Sequence, residues 1–143
     1  MKKSFLFTQS ELQELLNQKP VSGKHHLEPL KSLFLNKEIP FSVIEDFNVQ
    51  EMKSEIHRQA GDFWICMEGE AEFTYGGELI KPQEIPGNDG NEISGDGISG
   101  GTTILLKVGD TLWIPPGEPH MHRNKEGSTV RLLIIKVPGN SND

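Results

Sequence analysis

The chain has 143 residues, enough for one domain whose core needs neither disulfides nor a structural metal. Its net charge of −7 argues against nucleic acid or an anionic membrane as the main partner. A hydrophobic share of 34%, beside 15 Gly and 9 Pro, points away from an α/β enzyme and towards many short strands joined by turns.

The opening Met1-Lys2-Lys3-Ser4-Phe5-Leu6-Phe7 begins as a signal peptide does, but Thr8-Gln9-Ser10-Glu11 interrupts the apolar run too early. No stretch approaches the ~20 apolar residues of a membrane span. Cys66 is the single cysteine, so no intrachain disulfide is possible and a reducing cytoplasm is the expected compartment.

Thr8 to Lys19 reads as a short amphipathic helix. Thr8 caps it, Glu11 completes a capping box, and Leu12, Leu15 and Leu16 share a face. Pro20 and Gly23 end it. The helix is expected against the outside of a barrel or at a dimer contact. His25-His26 is a poor chelate, because adjacent side chains point in different directions.

From Lys31 the pattern becomes that of strands. The expected strands are Leu33-Phe34-Leu35, Phe41 to Ile44, Met52 to His57, and a pair over Asp62 to Tyr75 bent at Glu68-Gly69-Glu70. Leu79-Ile80, Thr102 to Val108, Thr111 to Ile114, His120 to Asn124 and Thr129 to Val137 complete the set. Residues 87–101 are rich in glycine and read as a long mobile hairpin loop. Their aspartates do not follow the EF-hand spacing, so calcium is set aside. The organisation is a helix and linker over 1–30, a barrel over 31–138 and a frayed tail over 139–143.

Gly109 to Asn124 is the most specific segment. Gly109-Asp110 makes a tight turn into a strand; Pro115-Pro116-Gly117 ends that strand and reverses the chain; His120 opens the next. The segment resembles the second cupin motif, G-x5-P-x-G-x2-H-x3-N, with Gly109, Pro115, Gly117, His120 and Asn124 at every fixed position. The first cupin motif, G-x5-H-x-H-x3,4-E-x6-G, is matched in part. With Gly69 as its last residue, Asp62 takes the Glu position and His57 the second His, while Glu55 replaces the first His and Val49 the opening Gly. The resemblance covers roughly residues 40–137.

It implies an all-β fold, the double-stranded β-helix or jelly-roll barrel, with the short N-terminal helix outside it. It also implies one divalent metal ion (Fe, Mn, Ni or Zn) held by His57, Asp62 and His120, with Glu55 as a fourth ligand. Strand geometry supports this, because residues two apart face the same side and Glu55 and His57 therefore point together. Two imidazoles with one carboxylate make the facial triad of non-haem Fe(II), and Glu55 shifts the set towards a harder ion such as Mn(II). No cysteine stands among these candidate ligands, which argues against a closed structural zinc site.

Alternatives stand beside these roles. Asp62 either ligates or caps the turn at Gly61. Glu55 is a ligand, an acceptor for an imidazole N–H, or a solvated rim residue. His122, two residues beyond His120, faces the same way and is either a proton donor or acceptor in the pocket or a packed histidine. Trp64 and Cys66 follow Asp62 inward, as pocket wall or core.

The expected function is a metalloenzyme acting on a small organic substrate, with Glu55 and His122 as its catalytic acid–base groups. Its chemistry is dioxygenase-like, by a loose likeness to cupin-type aromatic-ring dioxygenases, or that of an isomerase or lyase. The other reading is a non-catalytic small-molecule-binding or sensor cupin. The expected partners are a small-molecule ligand and a second copy in a homodimer, paired through Leu33-Phe34-Leu35 or the N-terminal helix.

Overall fold

The computed structural model describes residues 3–139, so the tail residues 140–143 lie outside the described part. Two antiparallel sheets face each other. The first has five strands in the order β1 (Gly23–His26), β2 (Phe41–Phe47), β13 (Thr129–Pro138), β4 (Ala60–Glu68) and β11 (Thr111–Ile114). The second has six, in the order β10 (Thr102–Lys107), β5 (Glu70–Tyr75), β12 (His120–Arg123), β3 (Ser54–His57), β8 (Glu92–Gly95) and β7 (Gln83–Glu84). A two-stranded ribbon, β6 (Glu78–Leu79) with β9 (Ile98–Ser99), stands apart. This is a jelly roll, as the all-β expectation required.

The strands that meet in the middle of the first sheet are buried on both faces. Val130, Leu132 and Ile134 of β13 point inward and join Trp64, Cys66, Phe73, Leu106 and Ile114 in the core between the sheets. Val43 of β2 and Leu133 of β13 point outward, into a second apolar cluster under the helices. Helix α1 (Gln9–Leu16) covers that outer face with Leu12, Leu15 and Leu16. Its cap is as expected: Thr8 Oγ1 accepts from the Glu11 N–H at 3.1 Å, and the Glu11 carboxylate returns to the Thr8 N–H.

Two expectations are corrected. Leu33-Phe34-Leu35 lies in a helix, α2 (Leu30–Leu35), and not in a strand. An apolar triplet has no period of its own, and Leu30, Leu33 and Phe34 recur at helical spacing to reach the outer cluster. The 87–101 segment is not wholly loop, since β8 and β9 lie inside it. In addition β1, within the expected linker, pairs with β2. Among the described residues no helix is long and apolar enough to cross a membrane.

The bend between β4 and β5 depends on Gly69. Its φ is 73°, and a Cβ there would stand 2.2 Å from the Thr129 carbonyl oxygen. Gly69→Ala is therefore expected to cost more than about 2 kcal/mol, from left-handed strain plus a backbone clash. A lowered urea midpoint at unchanged slope checks this.

Candidate metal centre

Strand register assembles the centre. His120 of β12 lies directly opposite Glu55 of β3, and His57 of β3 directly opposite Glu92 of β8. On the facing sheet, Asp62 of β4 lies opposite Lys136 of β13. The turn at Arg58-Gln59 does not pair β4 with β3. It carries the chain to the other sheet, so Asp62 approaches from across the barrel.

Glu55 Oε1 lies 3.4 Å from His57 Nε2 and 3.6 Å from His120 Nε2. Asp62 Oδ2 lies 3.5 Å and 3.2 Å from the same two nitrogens. The donors of Glu55, His57 and His120 all lie within 4.8 Å of one another. Bonds of about 2.1 Å at octahedral to tetrahedral angles would separate donors by about 3.0–3.4 Å. The imidazole–carboxylate distances come near this, while Asp62 stands outside the group of three whose donors all lie within 4.8 Å of one another.

Each imidazole is held by its other nitrogen. His57 Nδ1 bonds Glu92 Oε2 at 2.5 Å, and His120 Nδ1 donates to the Glu118 carbonyl at 3.0 Å. Both Nε2 atoms are thereby presented to the centre. Lys136 Nζ donates to Asp62 Oδ1 at 2.5 Å, which leaves Oδ2 for the centre. Asp62 Oδ2 and His120 Nε2 are both buried and neither has a hydrogen-bond partner. The two atoms face each other at 3.2 Å, so a proton on His120 serves both when no ion is bound, and a bound cation would take that place. The donor set, two imidazoles and two carboxylates without sulfur, fits a divalent ion such as Mn, Fe, Ni or Zn.

The motif's fixed residues have local work. The Gly117 N–H donates to the His57 carbonyl at 2.8 Å, with φ of 86°, and ties the Pro-Pro-Gly turn to β3. Asn124 is buried and receives the Val49 N–H at 2.8 Å while donating to the Asp46 carbonyl at 2.9 Å.

Burial works against charge at the centre, yet the opposite charges win. The imidazoles of His120 and His57 hold the Glu55 carboxyl well below its usual value against that burial. Burial opposes ionisation of Asp62 too, but His120 and Lys136 lower it. Burial would lower His120, but Asp62 and Glu55 lift it to about 9. Burial is likewise outweighed at His57 by Glu55, which raises it.

Without an ion, the His120 contribution to stability is complete below pH 6.5 and is lost as the pH rises through about 9. An arriving ion must displace that proton. Apparent metal affinity is thus expected to rise between pH 6.5 and 9, by up to about tenfold per unit for each proton released. Calorimetric titration in buffers of different ionisation heat reads the proton count directly.

His122 does not join the donors. Its Nδ1 lies 2.6 Å from Asp46 Oδ2, and its ring packs edge-on against Trp64 with centroids 4.9 Å apart. Trp64 lies inward as parity required, 2% exposed, and is at once core and pocket wall. Cys66 is a buried thiol, raised by burial. His25 and His26 turn to separate partners, Glu45 at 2.9 Å and Ser42 at 2.8 Å, as expected for a poor chelate.

Glu92, Lys136 and Asp46 were missed by sequence reasoning. Lys136 and Asp46 did leave a signal: each is a charged residue two positions beyond an inward isoleucine, Ile134 and Ile44. Glu92 left none, because its strand is buried in glycine-rich text.

No family model matches the chain, and no curated protein does. Solved structures do. TT1209 from Thermus thermophilus is similar over 90% of this chain and 95% of that one, at 19% identity and a TM-score of 0.54. An oxalate oxidase is similar over 96% of this chain and 61% of that one, at 19% identity and a TM-score of 0.53. A recombinant oxalate oxidase in complex with glycolate is similar over 82% and 51%, at 18% identity and a TM-score of 0.50. The chain spans about half to three fifths of the length of the oxalate oxidase chains. With the facing sheets and the Gly109–Asn124 segment on β11 and β12, these likenesses give the chain the fold of a small cupin.

Proposed function

We propose that this chain is a metal-dependent cupin enzyme that holds one divalent ion through Glu55, His57, Asp62 and His120 and acts on a small organic molecule. The observation that carries the reading is the convergence of two buried donors that form no hydrogen bond, Asp62 Oδ2 and His120 Nε2, with His57 Nε2 and Glu55 Oε1. A bound ion would supply Lewis acidity or redox chemistry to substrate oxygens.

The chain's own residues do the rest. Glu92 and the Glu118 carbonyl fix the two imidazoles. Lys136 orients Asp62. The Glu55 side chain, 40% exposed, lines the pocket and turns Oε1 to both imidazoles. His122 turns Nδ1 to Asp46, which leaves Nε2 as the nitrogen a pocket occupant meets. Trp64 and Ile134 line the pocket and keep water from its depth. Both dioxygenase-like and isomerase or lyase chemistry fit this arrangement. Oxygen uptake during turnover separates them.

One observation favours a second reading, a non-catalytic binding or sensor module. Lys136 already compensates Asp62 without an ion. Elemental analysis of protein purified without chelator decides between them. One ion per chain supports the enzyme reading, and metal-free protein that also refuses Mn, Fe, Ni and Zn supports the sensor.

A further inference from the structure

The centre lies in a cavity of about 350 Å³ whose far wall carries its own polar groups. Two lysines line it. Lys136 is engaged by Asp62, whereas Lys24 has no carboxylate partner among the described residues. Lys24 Nζ instead folds towards β12 and donates to the His122 carbonyl at 3.3 Å. Of the nearby acids, Glu45 is held by His25 and Arg131, and Asp46, opposite Lys24 in the β1–β2 register, gives Oδ2 to His122 while its buried Oδ1 has no hydrogen bond among the described residues. The His122 ring, fixed by Asp46, leaves Nε2 free for an occupant. The indole N–H of Trp64, on the same wall, is buried and has no acceptor among the described residues. Among the lining side chains a divalent ion would offset Glu55 and Asp62, leaving Glu92 against two lysines, with the Asp46 carboxylate behind the His122 ring.

We propose that the pocket takes a small organic anion, with its metal-binding end at the four-donor centre and its carboxylate between Lys24 and His122. The first half of that statement rests on the metal reading above; the second does not. Lys24 supplies the charge, and the imidazole supplies a directional hydrogen bond. The remaining walls, Phe34, Ile44 and Ile134, are apolar and suit a ring or short chain between the two ends.

The test uses the full chain loaded with zinc, which does not oxidise catechols. It is titrated calorimetrically with 2,3- and 3,4-dihydroxybenzoate and with the two corresponding amides. The diol is common to all four probes, and only the distal charge differs. At least one carboxylate is expected to bind tenfold or more tighter than its amide. Lys24→Met is expected to bring that ratio close to one at unchanged zinc content, and Lys24→Arg to retain it. Equal binding of acids and amides overturns the proposal, as does a preference that survives Lys24→Met. Should the chain take up no zinc, the metal reading fails alone. The same probe pairs then decide the anion site on metal-free protein, by the same ratio and the same variants. A melting curve for each variant shows that the comparison is between folded proteins.

Discussion

His120→Ala is expected to lower divalent-metal affinity by more than 100-fold and to leave less than a tenth of an ion per chain after desalting. The imidazole is 1% exposed and opposes Glu55 across the β12–β3 ladder, so no neighbouring side chain can replace it. The substitution removes one donor outright and leaves Asp62 Oδ2 without its 3.2 Å neighbour. His57→Ala is expected to behave alike. Glu92→Gln separates ligation from support. It keeps the shape and the hydrogen bond to His57 Nδ1 but removes the charge, so a loss of about 10–100-fold is expected. Competition against a fluorescent zinc chelator measures all three. Undiminished affinity in His120→Ala would remove the centre from the account.

The second large effect concerns stability. Arg131 lies on the outer face of β13 and is 2% exposed. Its guanidinium bonds Glu45 at 2.7 Å and Glu68 at 2.8 Å, and also the Leu16 and Gln18 carbonyls at the end of α1. It therefore neutralises a buried acid and fastens the helix to the sheet. Arg131→Met leaves Glu45 buried with only His25 and the Val21 N–H, and is expected to cost about 3–5 kcal/mol. Because the group is out of water, added salt should change this little. Proteolysis between α1 and β1 should quicken. Adding Glu45→Gln to Arg131→Met should recover part of the loss, since the uncompensated charge is then gone. Chemical denaturation of both variants measures the effect, and a single-variant loss below about 1 kcal/mol would show the pair to be solvated.

Local chemistry made much of this legible in the sequence. The Gly109 to Asn124 pattern fixed a turn, a strand and a sharp reversal, because Gly and Pro restrict backbone angles wherever they stand. The Thr8 cap and the leucine spacing fixed α1, since a capping box is complete within four residues. Two-residue periodicity put Glu55 beside His57, and Trp64 and Cys66 inward, because it is a property of any strand.

What the sequence left open depended on pairing between distant segments. Glu92 reaches His57 only because β8 joins β3 in register, Lys136 reaches Asp62 only through β13 and β4, and Asp46 reaches His122 only across the barrel. Such partners are set by which strands meet and by a register in which one residue of slip reverses every side chain, and neither is written in any local stretch. The residue types able to hold an ion were thus determined along the chain. Their convergence, their supports and the lysine at the opposite end of the pocket were decided by the closing of the two sheets.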